Sequence, residues 1–158
     1  RYKADDHETV TYYKAVANST DLPIMVYNNP VDYKIEVTLD MFEQLAECEN
    51  IQSVKESTRD ISNITRMINR FGDRFKILSG VDTLALESLF MGANGWVAGL
   101  VCAFPKETVA IYRLQKWPLA LVPKMFVHQG LRFQAQKEIT YFRLSKQELK
   151  TALNCQTI

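Results

Sequence analysis

The sequence predicts an α/β fold, a parallel sheet built from four repeated strand-and-helix units and amounting to half of an eight-stranded barrel. Three observations carry that expectation. Short apolar runs alternate with stretches of helical spacing up to about residue 114. The run starts recur every roughly 20 to 30 residues, the rhythm of βα units. The runs are apolar without alternation, as strands covered on both faces are. Pattern alone leaves a doubly wound sheet open, but no GxGxxG follows any strand. Gly92-Ala93-Asn94-Gly95 precedes a strand, the wrong order for a phosphate cradle.

The elements follow in order. Val10, Tyr13 and Ala17 recur at helical spacing over His7–Ala17. Ser19-Thr20-Asp21 breaks that helix, and the apolar run Leu22–Tyr27 is the first strand. Asn28-Asn29-Pro30 reads as a loop, because Asn tolerates turn geometry and Pro cannot continue a ladder. Thr38 is placed to N-cap a helix whose stripe is Leu39, Phe42, Leu45 and Ala46. Ile51–Val54 is the second strand. A helix from about Asp60 turns Ile61, Ile64, Ile68 and Phe71 inward and closes at Gly72. Phe75–Ser79 is the third strand. Gly80-Val81-Asp82 then leads into a helix bearing Leu84, Leu86, Leu89 and Phe90, with Asp82 as its N-cap, stopped at Gly92. Gly95–Leu100 is the fourth strand, and Pro105 opens a helix through Val109, Tyr112 and Leu114. From residue 115 the rhythm is lost in a tail with Pro118 and Pro123, apart from a short helix expected over Ser145–Leu153.

Composition excludes several function classes. Nineteen Lys and Arg against 18 Asp and Glu leave no basic footprint for nucleic acid or an anionic membrane. No apolar run reaches the roughly 18 residues of a membrane span. His7 and His128 have no partners at metal-ligand spacing, so no metal is expected. Cys48, Cys102 and Cys155 lie far apart without a CxxC, which predicts reduced thiols in a cytoplasmic protein. The first residues lack an apolar signal core and a starting Met, so the chain reads as cut from something longer. Its 158 residues fall short of the roughly 250 of a complete (β/α)8 barrel.

Two residues carry the chemistry. Tyr27 closes the first apolar run and Lys55 the second, about one βαβ unit later. That spacing puts both at the same end of neighbouring parallel strands, where α/β barrels hold their active sites. A lysine there can form a Schiff base with a carbonyl substrate, and a phenol beside it can move protons. The chemistry needs a neutral amine, which burial or a nearby cation favours. Glu56 reads as a solvated loop residue and Trp96 as packing.

The block Pro23–Pro30, with its Tyr27-Asn28, resembles a motif of the dihydrodipicolinate synthase / N-acetylneuraminate lyase family. Val54-Lys55-Glu56-Ser57-Thr58 is similar to that family's Schiff-base lysine strand, Leu78-Ser79-Gly80-Val81-Asp82 to its "SGxD" turn, and Gly92–Val97 to the stretch that follows. The resemblance covers residues 1–114. It implies the C-terminal half of a (β/α)8 barrel, strands five to eight, with residues 115–158 an irregular tail. It implies that Lys55 forms the imine with pyruvate or another 2-oxo acid, that Tyr27 relays the proton, and that Gly80 and Val97 line the substrate pocket. No cofactor is implied, and the family is commonly homotetrameric. One departure matters: Asp32 stands where family members acting on aspartate semialdehyde carry an arginine. An aspartate repels the carboxylate an arginine would clamp. The reading is therefore a 2-oxo-acid lyase other than a dihydrodipicolinate synthase. The alternative is a non-catalytic remnant of such an enzyme, since the first four strands and their threonine loop are not in the chain.

Overall fold

A computed structural model describes residues 4–114. Four strands form one parallel sheet in the order β1 (Ile24–Asn28), β2 (Ile51–Glu56), β3 (Lys76–Ser79) and β4 (Gly95–Trp96). The helices are α1 (Asp6–Asn18), α2 (Pro30–Tyr33), α3 (Leu39–Leu45), α4 (Ser62–Phe71), α5 (Ala85–Phe90) and α6 (Pro105–Leu114). The parallel α/β expectation holds. The tail from residue 115, with its expected helix at Ser145–Leu153, lies outside the described residues.

Local chemistry explains the boundaries. Asp5 and Glu8 form a reciprocal capping box at the start of α1. The Thr38 hydroxyl accepts from the Met41 N–H and caps α3 as expected. Gly72 ends α4 at φ 55°, a left-handed value that suits glycine. The Asn50 side chain donates to the Ala17 and Thr20 carbonyls, tying the end of α1 to the start of β2.

Alternation along the strands sorts the sheet into two faces. Val26, Val54 and Ile77 point to the helix side, where each is at most 2% exposed. They pack with Phe42, Leu45, Ile64, Met67 and Phe75 in one core. Edge-to-face contacts join Phe42, Phe71 and Phe75 at centroid distances of 5.4 to 6.5 Å. The opposite face carries Met25, Tyr27, Ser53, Lys55 and Leu78, none of them fully buried. Met25 is 45% exposed.

Four details differ from the sequence reading. Asn28 ends β1 rather than starting a loop, and Pro30 opens the short helix α2 behind an Asn29 cap. The strand expected over Gly95–Leu100 stops at Trp96. Asp82 is not an N-cap. Its carboxylate accepts from Trp96 Nε1 and from the Gly99 and Leu100 N–H groups, which turns the chain out of the sheet after β4. Glu56 is not a solvated loop residue: it ends β2 and is 5% exposed.

Candidate active site

Tyr27 and Lys55 are direct partners in the β1–β2 register. Both side chains stand on the sheet face opposite the core that α1, α3 and α4 cover, at the C-terminal ends of their strands. Lys55 Nζ lies 4.0 Å from the centroid of the Tyr27 ring, over its face. The Tyr27 ring meets Tyr33 edge-on at 5.6 Å. An amine and a phenol are thus in contact on one half-buried surface.

Gly80 completes this cluster. A Cβ there would stand 2.8 Å from Lys55 Cγ, 3.0 Å from Lys55 Cε and 2.0 Å from Ser57 Oγ. Only a residue without a side chain lets the lysine stem and Ser57 lie against the backbone here. The Gly80 N–H donates to the Glu56 carbonyl at 2.8 Å, continuing the ladder past β3. Val97 is half-buried just beyond β4, and its N–H donates to the Ser79 carbonyl at 2.9 Å. Tyr27, Lys55 and Gly80 are brought together, and Val97 is tied to the residue before Gly80.

Behind this surface is a polar cluster that sequence reasoning missed. Asn28 and Glu56 follow Tyr27 and Lys55 and are register partners on the helix side. The Asn28 side chain donates to Glu56 Oε2 at 3.2 Å and to the Val37 carbonyl at 3.1 Å, and accepts from the Val37 N–H at 3.0 Å. Asn63, on α4, donates to the same Oε2 at 3.0 Å, and the Thr58 N–H donates to Oε1 at 2.7 Å. Burial pushes the Glu56 carboxyl above its ordinary range, and these hydrogen bonds pull the other way. A cavity of about 10 Å³ adjoins Glu56, lined also by Ser79, Arg59 and Ser88. It has room for about one water. The Ser57 and Ser79 hydroxyls are buried without a hydrogen-bond partner.

Asn29 was missed as well. Its side-chain amide donates to the Tyr27 phenol oxygen at 2.9 Å and to Asp32 Oδ2 at 2.7 Å. The available signal was the Asn-Pro pair with an acidic residue three positions on, the pattern of a capped helix start. No group of residues able to hold a metal ion occurs among the described residues. No described helix is long and apolar enough to cross a membrane.

Comparison with known proteins gives this geometry a family. The model of the dihydrodipicolinate synthetase family matches residues 1–137. The 4-hydroxy-tetrahydrodipicolinate synthase of Aquifex aeolicus is 37% identical over 103 residues, 65% of this chain and 35% of that protein. The one from Idiomarina loihiensis is 40% identical over 103 residues, 63% of this chain and 35% of that protein. The chain spans about a third of the length of these relatives. Among solved structures, the dihydrodipicolinate synthase of Aquifex aeolicus aligns at a TM-score of 0.66 and 23% identity, over 97% of this chain and 60% of that one. A catalytic lysine mutant of Ruminococcus gnavus sialic acid aldolase aligns at a TM-score of 0.71 and 18% identity, over 80% of this chain and 40% of that one. With a family model matched over most of its length, the chain belongs to the dihydrodipicolinate synthetase family.

Proposed function

We propose that this chain carries the lysine half of a Schiff-base lyase acting on pyruvate or another 2-oxo acid. In this reading β1–β4 are strands five to eight of a (β/α)8 barrel, and residues 115–158 follow as a tail. The observation that carries the proposal is the contact of Lys55 Nζ with the face of Tyr27 at the C-terminal ends of adjacent parallel strands. The Ruminococcus gnavus sialic acid aldolase, a neighbour in fold, has a catalytic lysine, which fits the same reading.

The neutral Lys55 amine adds to the 2-oxo carbon, and the carbinolamine loses water to give the imine. The imine draws electrons from the neighbouring carbon, so a proton leaves C3 and an enamine forms. Tyr27 gives its phenolic proton to the carbinolamine hydroxyl as it leaves as water, and the phenolate so formed takes the C3 proton, acting as general acid and then as general base. Gly80 lets the lysine stem lie against its backbone and so sets where Nζ meets the substrate, and Val97 bounds the pocket. The iminium is itself the electron sink, so the step needs no metal or organic cofactor. The substrate partner is a small 2-oxo acid, and the working form is a homo-oligomer.

Asp32 argues against dihydrodipicolinate synthesis itself. Its carboxylate is held beside the Tyr27 phenol through Asn29, where an incoming carboxylate would be repelled. An aldol cleavage, condensation or dehydration on a less acidic partner fits better.

The test is deuterium exchange into the pyruvate methyl group, followed by proton NMR. Exchange that is lost in Lys55→Arg and slowed in Tyr27→Phe supports the lyase. No exchange above buffer with folded wild-type chain contradicts it.

A further inference from the structure

We infer that Asn29 is a positioning residue for Tyr27, fixing the direction in which the phenol presents its proton. The inference rests on the lyase reading for its consequence in catalysis, but its geometry stands independently. Asn29 is 5% exposed and follows the Tyr27-Asn28 strand end. Both side-chain N–H groups and one lone pair of its side-chain oxygen are engaged. Oδ1 accepts from the Asp32 N–H at 3.3 Å, and Nδ2 donates to Asp32 Oδ2 and to the Tyr27 phenol oxygen. A carboxylate accepts only, so Asp32 decides which end of the amide is nitrogen. The atom facing the phenol is therefore a donor.

A phenolic O–H prefers the plane of its ring, which leaves two rotamers. The Asn29 N–H occupies the oxygen lone pair on one side. The Tyr27 proton is then left on the other, free for a group outside this network. Asn29 thus selects one rotamer before substrate arrives, and α2, which Asn29 caps, holds Asn29 in place. Asp32 anchors the amide, so the same pair that repels a second carboxylate also aims the phenol.

The test uses the full 158-residue chain labelled with carbon-13 at the tyrosine ring Cζ, with the Tyr27 resonance identified by its loss in Tyr27→Phe. Asn29→Ser keeps an oxygen to cap α2 but is too short to reach the phenol. Asn29→Asp is nearly isosteric and turns the donor into an acceptor. The two variants are expected to move the Tyr27 resonance in opposite senses. With pyruvate, Asn29→Ser is expected to keep borohydride-trapped imine within about twofold of wild type while methyl deuterium exchange slows about tenfold or more. A Tyr27 resonance unmoved in both variants overturns the inference, as does full exchange in Asn29→Ser alongside normal trapping. If wild-type chain neither traps nor exchanges pyruvate, the lyase reading fails, and the Tyr27 resonance alone decides whether Asn29 holds the phenol.

Discussion

The Asn28 amide donates to the Glu56 carboxylate at 3.2 Å on the helix side of the sheet, directly behind the contact between Tyr27 and Lys55 on the other side. The two pairs are successive in one register. Asn28 also exchanges hydrogen bonds with both backbone groups of Val37. Replacing it with Leu leaves the buried Val37 groups and one Glu56 lone pair unmatched. Asn28→Leu is expected to lower stability by about 2 to 4 kcal/mol, from more than one unsatisfied group at about 1 to 3 kcal/mol each. Urea unfolding of the two proteins measures it.

Glu56 gives the chain a specific pH dependence. Burial raises its folded-state pKa above the unfolded value. The protonated form is therefore favoured by folding. That contribution is fully present below the ordinary carboxylate pKa and is lost as pH rises through the raised one. Glu56→Gln removes the titration and sets amide hydrogens against either the Thr58 N–H or both the Asn28 and Asn63 donors. Unfolding free energy of wild type, relative to Glu56→Gln, is expected to decline as pH rises from about 4. Denaturation series at several pH values check the sign; a relative stability that climbs with pH contradicts it.

Gly80→Ala introduces a Cβ that would overlap Ser57 Oγ at 2.0 Å and crowd the Lys55 stem. Overpacking of this kind costs about 1 to 3 kcal/mol. Because the nearest atom is the Ser57 hydroxyl, Ser57→Gly in the same chain is expected to recover part of the stability. The crowding at Lys55 Cγ remains, so trapping at Lys55 is expected to stay impaired in the double variant. Melting temperatures and trapped yields separate the two effects.

Arg74 closes the end of α3. Its guanidinium donates to the Ala46, Cys48 and Ile51 carbonyls at 2.7 to 3.1 Å and lies 4.6 Å from the Phe75 ring centroid. A lysine ammonium cannot reproduce that planar fork. Arg74→Lys is expected to cost about 1 to 3 kcal/mol, with carbonyls left unmatched. Chemical denaturation at neutral pH reads this directly.

The parts legible in the sequence are those fixed by local pattern. The stripe Phe42–Leu45, the Thr38 cap, the Gly72 stop and the apolar runs of β1 to β3 each declare themselves within one element. So does the alignment of Tyr27 with Lys55, because one βαβ unit fixes which strand end each occupies. What is not legible depends on partners far along the chain. Glu56 is sheltered by Asn28, 28 positions earlier, and by Asn63 across the turn into α4. No local rule distinguishes that glutamate from a solvated one. The fourth strand is shorter than its apolar run because its end is set by Asp82, whose carboxylate captures the Gly99 and Leu100 N–H groups from a different loop. Helix α2 is only four residues and has no apolar period to read; its Asn29 cap and Pro30 make it.

The central claim is that Lys55 forms an imine with a 2-oxo acid. The most direct measurement is borohydride reduction of the chain in the presence of pyruvate, followed by peptide mass mapping. The account predicts one reduced pyruvyl adduct, confined to Lys55 and missing from Lys55→Arg. Folded chain that yields no adduct, or adducts spread evenly over its surface lysines, would contradict it.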